Sequence, residues 1–199
     1  GQVHLHADLS GIATGPCNDM VVSSDGTAYV GNFGFDEGED YAQASLAIVY
    51  ADGRVLAGPS GFDFPNGTVI DPAGRRLIVA ESYGRRLTAF SIEENGALTD
   101  RREFADLGKR VPDGICLDAQ GGIWVADPRN RSCFRVLEGG EVTEVIELEF
   151  NCFACMLGGS DRRTLFMMTA PAAGGNGLAD GLEGRVETVR VEVAGVGLP

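Results

Sequence analysis

The chain has 199 residues, 29 of them glycine, and a formal net charge of −13. That length allows one or two domains, and so acidic a surface repels nucleic-acid backbones and anionic membranes, which argues against both as partners. No run approaches about 18 consecutive apolar residues, so nothing reads as a membrane-spanning helix.

In chain order, Val3 to Leu9 alternates in strand fashion and ends in Ala7-Asp8-Leu9. Next comes Cys17-Asn18-Asp19-Met20-Val21-Val22, a turn at Ser24-Asp25-Gly26, and a second apolar run at Ala28 to Asn32. Two short apolar runs joined by a Gly-bearing turn form a hairpin signature. A third strand is predicted over Leu46 to Tyr50 and a fourth over Gly53 to Ala57.

The pattern then returns. Phe64-Pro65-Asn66-Gly67 leads into Val69-Ile70, a turn at Asp71 to Gly74, Leu77 to Glu81, a third strand over Leu87 to Ile92 and a fourth over Glu103 to Leu107. A third copy runs through Pro112-Asp113-Gly114, Ile115 to Leu117, a turn at Ala119 to Gly121, Ile123 to Asp127, Cys133 to Leu137 and Val142 to Leu148. A degenerate fourth copy has its corner at about Ala154, followed by Cys155 to Leu157, Ser160-Asp161-Arg162 and Leu165 to Met168. Pro171 to Gly184 reads as a flexible loop, and Arg185 to Val193 as the last strand.

The repeat length is about 47 residues with about four strands in each, the mark of propeller blades. A solenoid is the alternative, but solenoid repeats of this length are helical, and no helical periodicity is present. The reading is therefore an all-β chain, a single β-propeller domain over 1–199 with about four blades and one orphan N-terminal strand. Six such blades would need about 280 residues, so the chain is expected to lack roughly the first two. A complete four-bladed ring is the competing view.

Asn18, Asn66 and Asp113 occupy one phase of three successive repeats, each with a proline one or two residues ahead. Rotation about a propeller axis brings such equivalent positions to one mouth of the central channel. Three oxygen-bearing side chains there suit a hard divalent cation: Ca²⁺ first, with Mg²⁺, Mn²⁺ or Zn²⁺ as alternatives. Any one of these corners taken alone is accounted for by turn chemistry.

Other catalytic signals are weak. His4 and His6 are the only histidines and read as surface residues. There is no Gly-x-Ser-x-Gly elbow and no phosphate loop. Cysteines 17, 116, 133, 152 and 155 are odd in number and read as reduced thiols of a cytoplasmic protein. Cys152 and Cys155 have the C-x-x-C spacing, with no second pair or nearby His to complete a zinc site.

The corners resemble those of the senescence-marker-protein, gluconolactonase and luciferin-regenerating-enzyme-like family. The specific part is Pro65-Asn66-Gly67 followed by Asp71-Pro72-Ala73-Gly74-Arg75, and Pro112-Asp113-Gly114 followed by Trp124-Val125-Ala126. The resemblance covers nearly the whole chain. It implies a six-bladed propeller with a divalent metal in its channel and hydrolysis of sugar lactones. By the same resemblance Asn66 and Asp113 would be metal ligands, Asp113 also the general base, and Asn18 the residue facing the lactone substrate. The family's remaining ligand is a Glu in a Glu-Gly-Pro motif, which does not occur here. Where the family often has a basic residue two before the substrate Asn, this chain has Pro16. Two other readings compete: a propeller used as a binding or scaffold module without chemistry, and a strictosidine-synthase-like site built on Glu81. The oligomeric state is open.

Overall fold

The computed structural model describes residues 1–36, 38–171 and 183–197. All fifteen elements among them are strands. The first sheet contains β1 (Cys17–Val22), β2 (Ala28–Asn32), β3 (Ala44–Val49) and β4 (Val55–Phe62), in that spatial order. The second contains β5 (Pro65–Ile70), β6 (Arg76–Glu81), β7 (Arg86–Ile92) and β8 (Leu98–Asp106), and the third β9 (Ile115–Leu117), β10 (Ile123–Asp127), β11 (Ser132–Val136) and β12 (Val142–Glu147). The fourth has three strands, β13 (Asn151–Gly158), β14 (Thr164–Ala170) and β15 (Arg185–Arg190). Every neighbouring pair is antiparallel. Inner strands pack in chain order, β1 on β5, β5 on β9 and β9 on β13, as blades of a propeller do.

Each meander starts with the same turn. Gly26, Gly74 and Gly121 stand at φ +87°, +68° and +79°, in the left-handed region where a Cβ is costly. The fourth copy puts Arg162 at φ +55° in the equivalent place, and its N–H bonds back to Gly159 as that of Gly26 bonds to Ser23. That substitution is the physical content of the copy's degeneracy.

The core lies between blades. Val21, Tyr29, Leu46, Ile48 and Phe62 of the first sheet meet Ile70, Leu77, Val79 and Phe90 of the second. The opposite face of the second sheet meets Ile115, Leu117, Ile123, Val125 and Phe134 of the third. The middle strands β6 and β10 are therefore covered on both faces and read as continuous apolar runs. β13 and β14 alternate between buried and partly exposed residues, because among the described residues only one face of their sheet is covered.

Four of the five cysteines gather in the core between the third and fourth blades, beside Trp124 and Leu165. Cys116 Sγ lies 3.9 Å from Cys155 Sγ; the Cys155 contact and burial push the Cys116 thiol well above its ordinary range. All five thiols are free and only Cys17 is exposed. Cys152 and Cys155 thus act as small hydrophobes.

Two expectations need correction. No strand forms over residues 3–9. Ala7 and Leu9 do pack on Ala28, Val30, Ala47 and Val49, as Ala105 and Leu107 pack on the third blade. The segment takes a closing strand's place against the next blade, but among the described residues no neighbouring strand offers it a ladder, and without one there is no sheet. The corner of the fourth blade is Phe153, one residue before Ala154. Gly114 N–H bonds Phe153 O just as Gly67 N–H bonds Asp113 O. The Gly- and Ala-rich stretch at 172–182 lies outside the described residues. Among the described residues no helix is long and apolar enough to cross a membrane.

Candidate active site

Each inner strand enters its sheet through an irregularity at the polar corner. Pairing registers shift between Cys17 and Met20, between Pro65 and Thr68, and between Cys152 and Ala154. A bulge inserts a residue and re-aims its side chain, which here turns the corner residue out of the ladder. At Asp113 the same job is done just before β9, where Asp113 N–H bonds Ala126 O at 2.9 Å.

Glycine sets how closely the corners approach. A Cβ on Gly67 would meet Asp113 O at 2.5 Å, and one on Gly114 would meet Ala154 Cα at 2.8 Å. Only a residue without a side chain lets Gly67 N–H reach Asp113 O at 3.2 Å, and Gly114 N–H reach Phe153 O at 3.0 Å. This is why Asn-Gly and Asp-Gly recur at the corners: the second residue permits contact between blades, and the first carries the polar group.

The three residues picked from sequence converge. Asn18 Nδ2 donates to Asn66 Oδ1 at 3.2 Å and to Pro65 O at 3.4 Å. Asn66 is buried, and its Nδ2 donates to Ser82 Oγ at 3.2 Å. Ser82 Oγ in turn donates to Pro112 O at 2.6 Å, tying the second corner to the third. Asp113 is pushed up to about 7, first by burial and then by the charge of Asp19, while the Asn66 amide and the Gly114 N–H pull it partly back.

Asp19 is the residue the sequence reading passed over. It stands beside Asn18, in the place that Gly67 and Gly114 hold at the other corners. Its side chain is exposed by area, yet the surrounding protein raises its pKa. The missed signal was a carboxylate where the repeat expects glycine. Neither Asp19 nor Asp113 pairs with Lys or Arg among the described residues.

Two uncompensated carboxylates beside two carboxamides form an all-oxygen donor set that fits a hard cation. Among the described residues, no three His, Cys, Asp or Glu side chains are placed to hold a metal ion, so a cation here would depend on amide oxygens. Glu81 has another role. Its buried carboxylate accepts from Asp63 N–H at 2.9 Å, from Arg86 Nη2 at 2.7 Å and Nε at 3.0 Å, and from Thr88 Oγ1. Those partners occupy its lone pairs and make it a structural tie. His4 and His6 are exposed at the N-terminus.

The sequence profile of the SMP-30/Gluconolactonase/LRE-like region matches residues 2–171. The chain belongs to this family. Among its relatives, regucalcin of Danio rerio is 27% identical over 164 residues, covering 77% of this chain and 54% of that protein. Pentonolactonase XacC of Haloferax volcanii is 25% identical over 190 residues, covering 92% of this chain and 64% of its own length. The crystal structure of a calcium-binding protein, regucalcin from Agrobacterium tumefaciens, superposes with a TM-score of 0.80 at 23% identity, covering 98% of this chain and 68% of that one. This family member thus spans 54% and 64% of the length of these two curated relatives.

Proposed function

We propose that this chain carries the larger part of a lactonase that opens a sugar lactone by hydrolysis, with Asn66 and Asp113 holding a divalent cation. Ca²⁺ is the first choice, because the donors are hard oxygens and a relative is described as calcium-binding. Mn²⁺, Mg²⁺ and Zn²⁺ are the alternatives. When bound, such a cation supplies Lewis acidity toward the lactone carbonyl.

The chain's own residues do the rest. Asn18 spends its two amide N–H donors on Asn66 Oδ1 and Pro65 O, and its Oδ1 is the atom left to accept a hydrogen bond from a substrate hydroxyl. Asp113 is the general base: it takes the proton of the attacking water, and burial and the neighbouring Asp19 charge raise its proton affinity in the cation-free site. Water adds its oxygen to the carbonyl carbon, the ring C–O bond breaks, and the ring oxygen leaves as a hydroxyl carrying the proton. The product is a hydroxy acid, which ionises and is repelled by a chain of net charge −13.

The observation that carries this reading is the convergence of Asn18, Asn66 and Asp113 at one mouth, with Asp113 uncompensated. The test is hydrolysis of glucono-1,5-lactone and a pentonolactone with each cation, before and after Asp113→Ala. Equal rates in the two proteins would sink the proposal in favour of a binding module.

Completion by two preceding blades follows from the same reading. Residues 7–9 lie where a closing strand lies and have no ladder partner. A Glu-Gly-Pro-bearing blade in the upstream reading frame would supply both that ladder and the third ligand. Full activity is expected only in its presence. The five free thiols support a cytoplasmic location.

A further inference from the structure

Five aromatic rings meet beside the carboxamide site. Phe64 is stacked between Phe33, at 4.6 Å, and Tyr83, at 4.8 Å. Phe35 and Tyr41 complete the group, with Tyr41 and Phe35 at 5.9 and 6.3 Å from Tyr83. The rings come from the connections β2–β3, β4–β5 and β6–β7, which share the mouth where the inner strands begin.

The cluster is joined directly to the site. Phe64 stands two residues before Asn66, and its carbonyl accepts the Ser82 N–H at 3.0 Å; Ser82 is the residue that holds the Asn66 amide. Phe64 itself stands at φ +61°, a left-handed conformation that is rare for a bulky residue and concentrates at functional sites. The neighbouring Asp63 is fixed by Arg86 Nη2 and Gln43 Nε2, each at 2.9 Å, and by the Tyr41 hydroxyl.

Packing accounts for part of this cluster. Phe33, Phe35 and Phe64 are half-buried and clasp the β2–β3 connection onto the corner. Tyr83 and Tyr41 remain 57% and 50% exposed, which packing does not need. At the fourth corner, Phe153 is 40% exposed in the position where the other blades place Asn or Asp. The polar site is thus flanked by open aromatic surface, and Pro16 rather than a cation precedes Asn18. Apolar ring faces held in water beside a polar centre invite a ligand that is polar at one end and flat and apolar at the other.

We propose that Tyr83, supported by Tyr41 and the Phe33–Phe64 stack, is a ring-binding wall that lets this site take a second substrate class alongside sugar lactones: lactones bearing an aryl substituent. The proposal rests on the lactonase reading for its chemistry and on the aromatic geometry alone for its binding. The ester group lies against Asn18, Asn66 and Asp113, and the aryl ring stacks on Tyr83.

The test compares γ-phenyl-γ-butyrolactone with glucono-1,5-lactone in the unaltered chain, Tyr83→Ala and Tyr83→Phe. Stacking of this kind predicts that Tyr83→Ala raises KM for the phenyl lactone about tenfold, leaves kcat and both constants for gluconolactone within about twofold, and that Tyr83→Phe restores the phenyl lactone. Equal losses on both substrates, or no loss on either, would overturn the wall. If neither lactone is hydrolysed even with the upstream blades present, the lactonase reading fails, and saturation-transfer NMR with 5-phenyl-2-pyrrolidinone, the unhydrolysed lactam, decides the wall separately. Transfer to the phenyl protons that disappears in Tyr83→Ala supports it; absence of transfer in the unaltered chain refutes it.

Discussion

Aspartates stand at both ends of the blades, and their surroundings differ. At the hairpin turns Asp71 Oδ1 accepts from Arg75 and Arg76 N–H, and Asp118 Oδ1 accepts from Gln120 and Gly122 N–H. Asp118 also receives Arg135 Nε at 2.6 Å in a buried pair. Asp25 is held by Ser23 and the Thr27 N–H, and Asp161 by Arg190 and the Arg163 N–H, and both are lowered from the ordinary value by those donors. At the opposite mouth Asp19 and Asp113 pair with no Lys or Arg among the described residues and are raised. The same side chain is thus a structural staple where local donors satisfy it. It becomes a candidate reagent where burial and a like charge leave it unsatisfied.

The contrast can be broken most sharply at Asp113. Asp113→Ala is expected to cut lactone hydrolysis by about 10² to 10⁴, the usual worth of a general base, while the thermal midpoint holds or rises. Steady-state rates measured beside a melting curve check both halves. At the turn end the signs reverse. Asp118→Ala strands the buried Arg135 guanidinium and is expected to cost about 3–5 kcal/mol in chemical denaturation. If Asp118→Ala proved as stable as the parent, the staple reading would be wrong.

Stability against pH sharpens the same comparison. Asp113 has a folded value of about 7 against an ordinary 3.8. Between those values the unfolded chain releases the proton and the folded chain keeps it, so stability contributed here is present below about pH 4 and lost as pH rises to about 7. Asp25 and Asp161 act in the opposite sense: lowered when folded, they contribute above the ordinary carboxylate value and lose that contribution as pH falls below it. Melting curves in a chelator should therefore show a decline toward pH 7 that Asp113→Asn removes. Asp19→Asn should remove only the smaller part of it, because burial, not Asp19, is the leading cause. The smallest effect is expected at the degenerate turn. Arg162→Gly relieves a left-handed residue and should stabilise by about 0.5–1 kcal/mol.

Much of this was legible in the chain. Ser24-Asp25-Gly26, Asp71 to Gly74 and Ala119 to Gly121 announced hairpins because positive φ is a local demand that glycine answers locally. The phase of Asn18, Asn66 and Asp113 announced one mouth because a repeat translates into a rotation. Asp19 was harder, since a carboxylate next to an asparagine looks like any strand-entry residue until a second blade brings Asp113 near it. The wall of Phe33, Phe35, Tyr41, Phe64 and Tyr83 left no periodic signal, because three different connections supply it. Residues 3–9 have strand composition and form no strand, because a ladder needs a partner that composition cannot provide.

The sequence by itself determined the repeat, the turns, the order of strands and the residue type at each polar corner, all of which depend on neighbours within a few positions. Tertiary structure alone decided that Asp19 and Asp113 share an unneutralised environment, that four cysteines meet in one core, and that five rings stand beside the site. Charge, burial and stacking depend on distances across blades, and those distances are set by how closely Gly67 and Gly114 let adjacent corners approach.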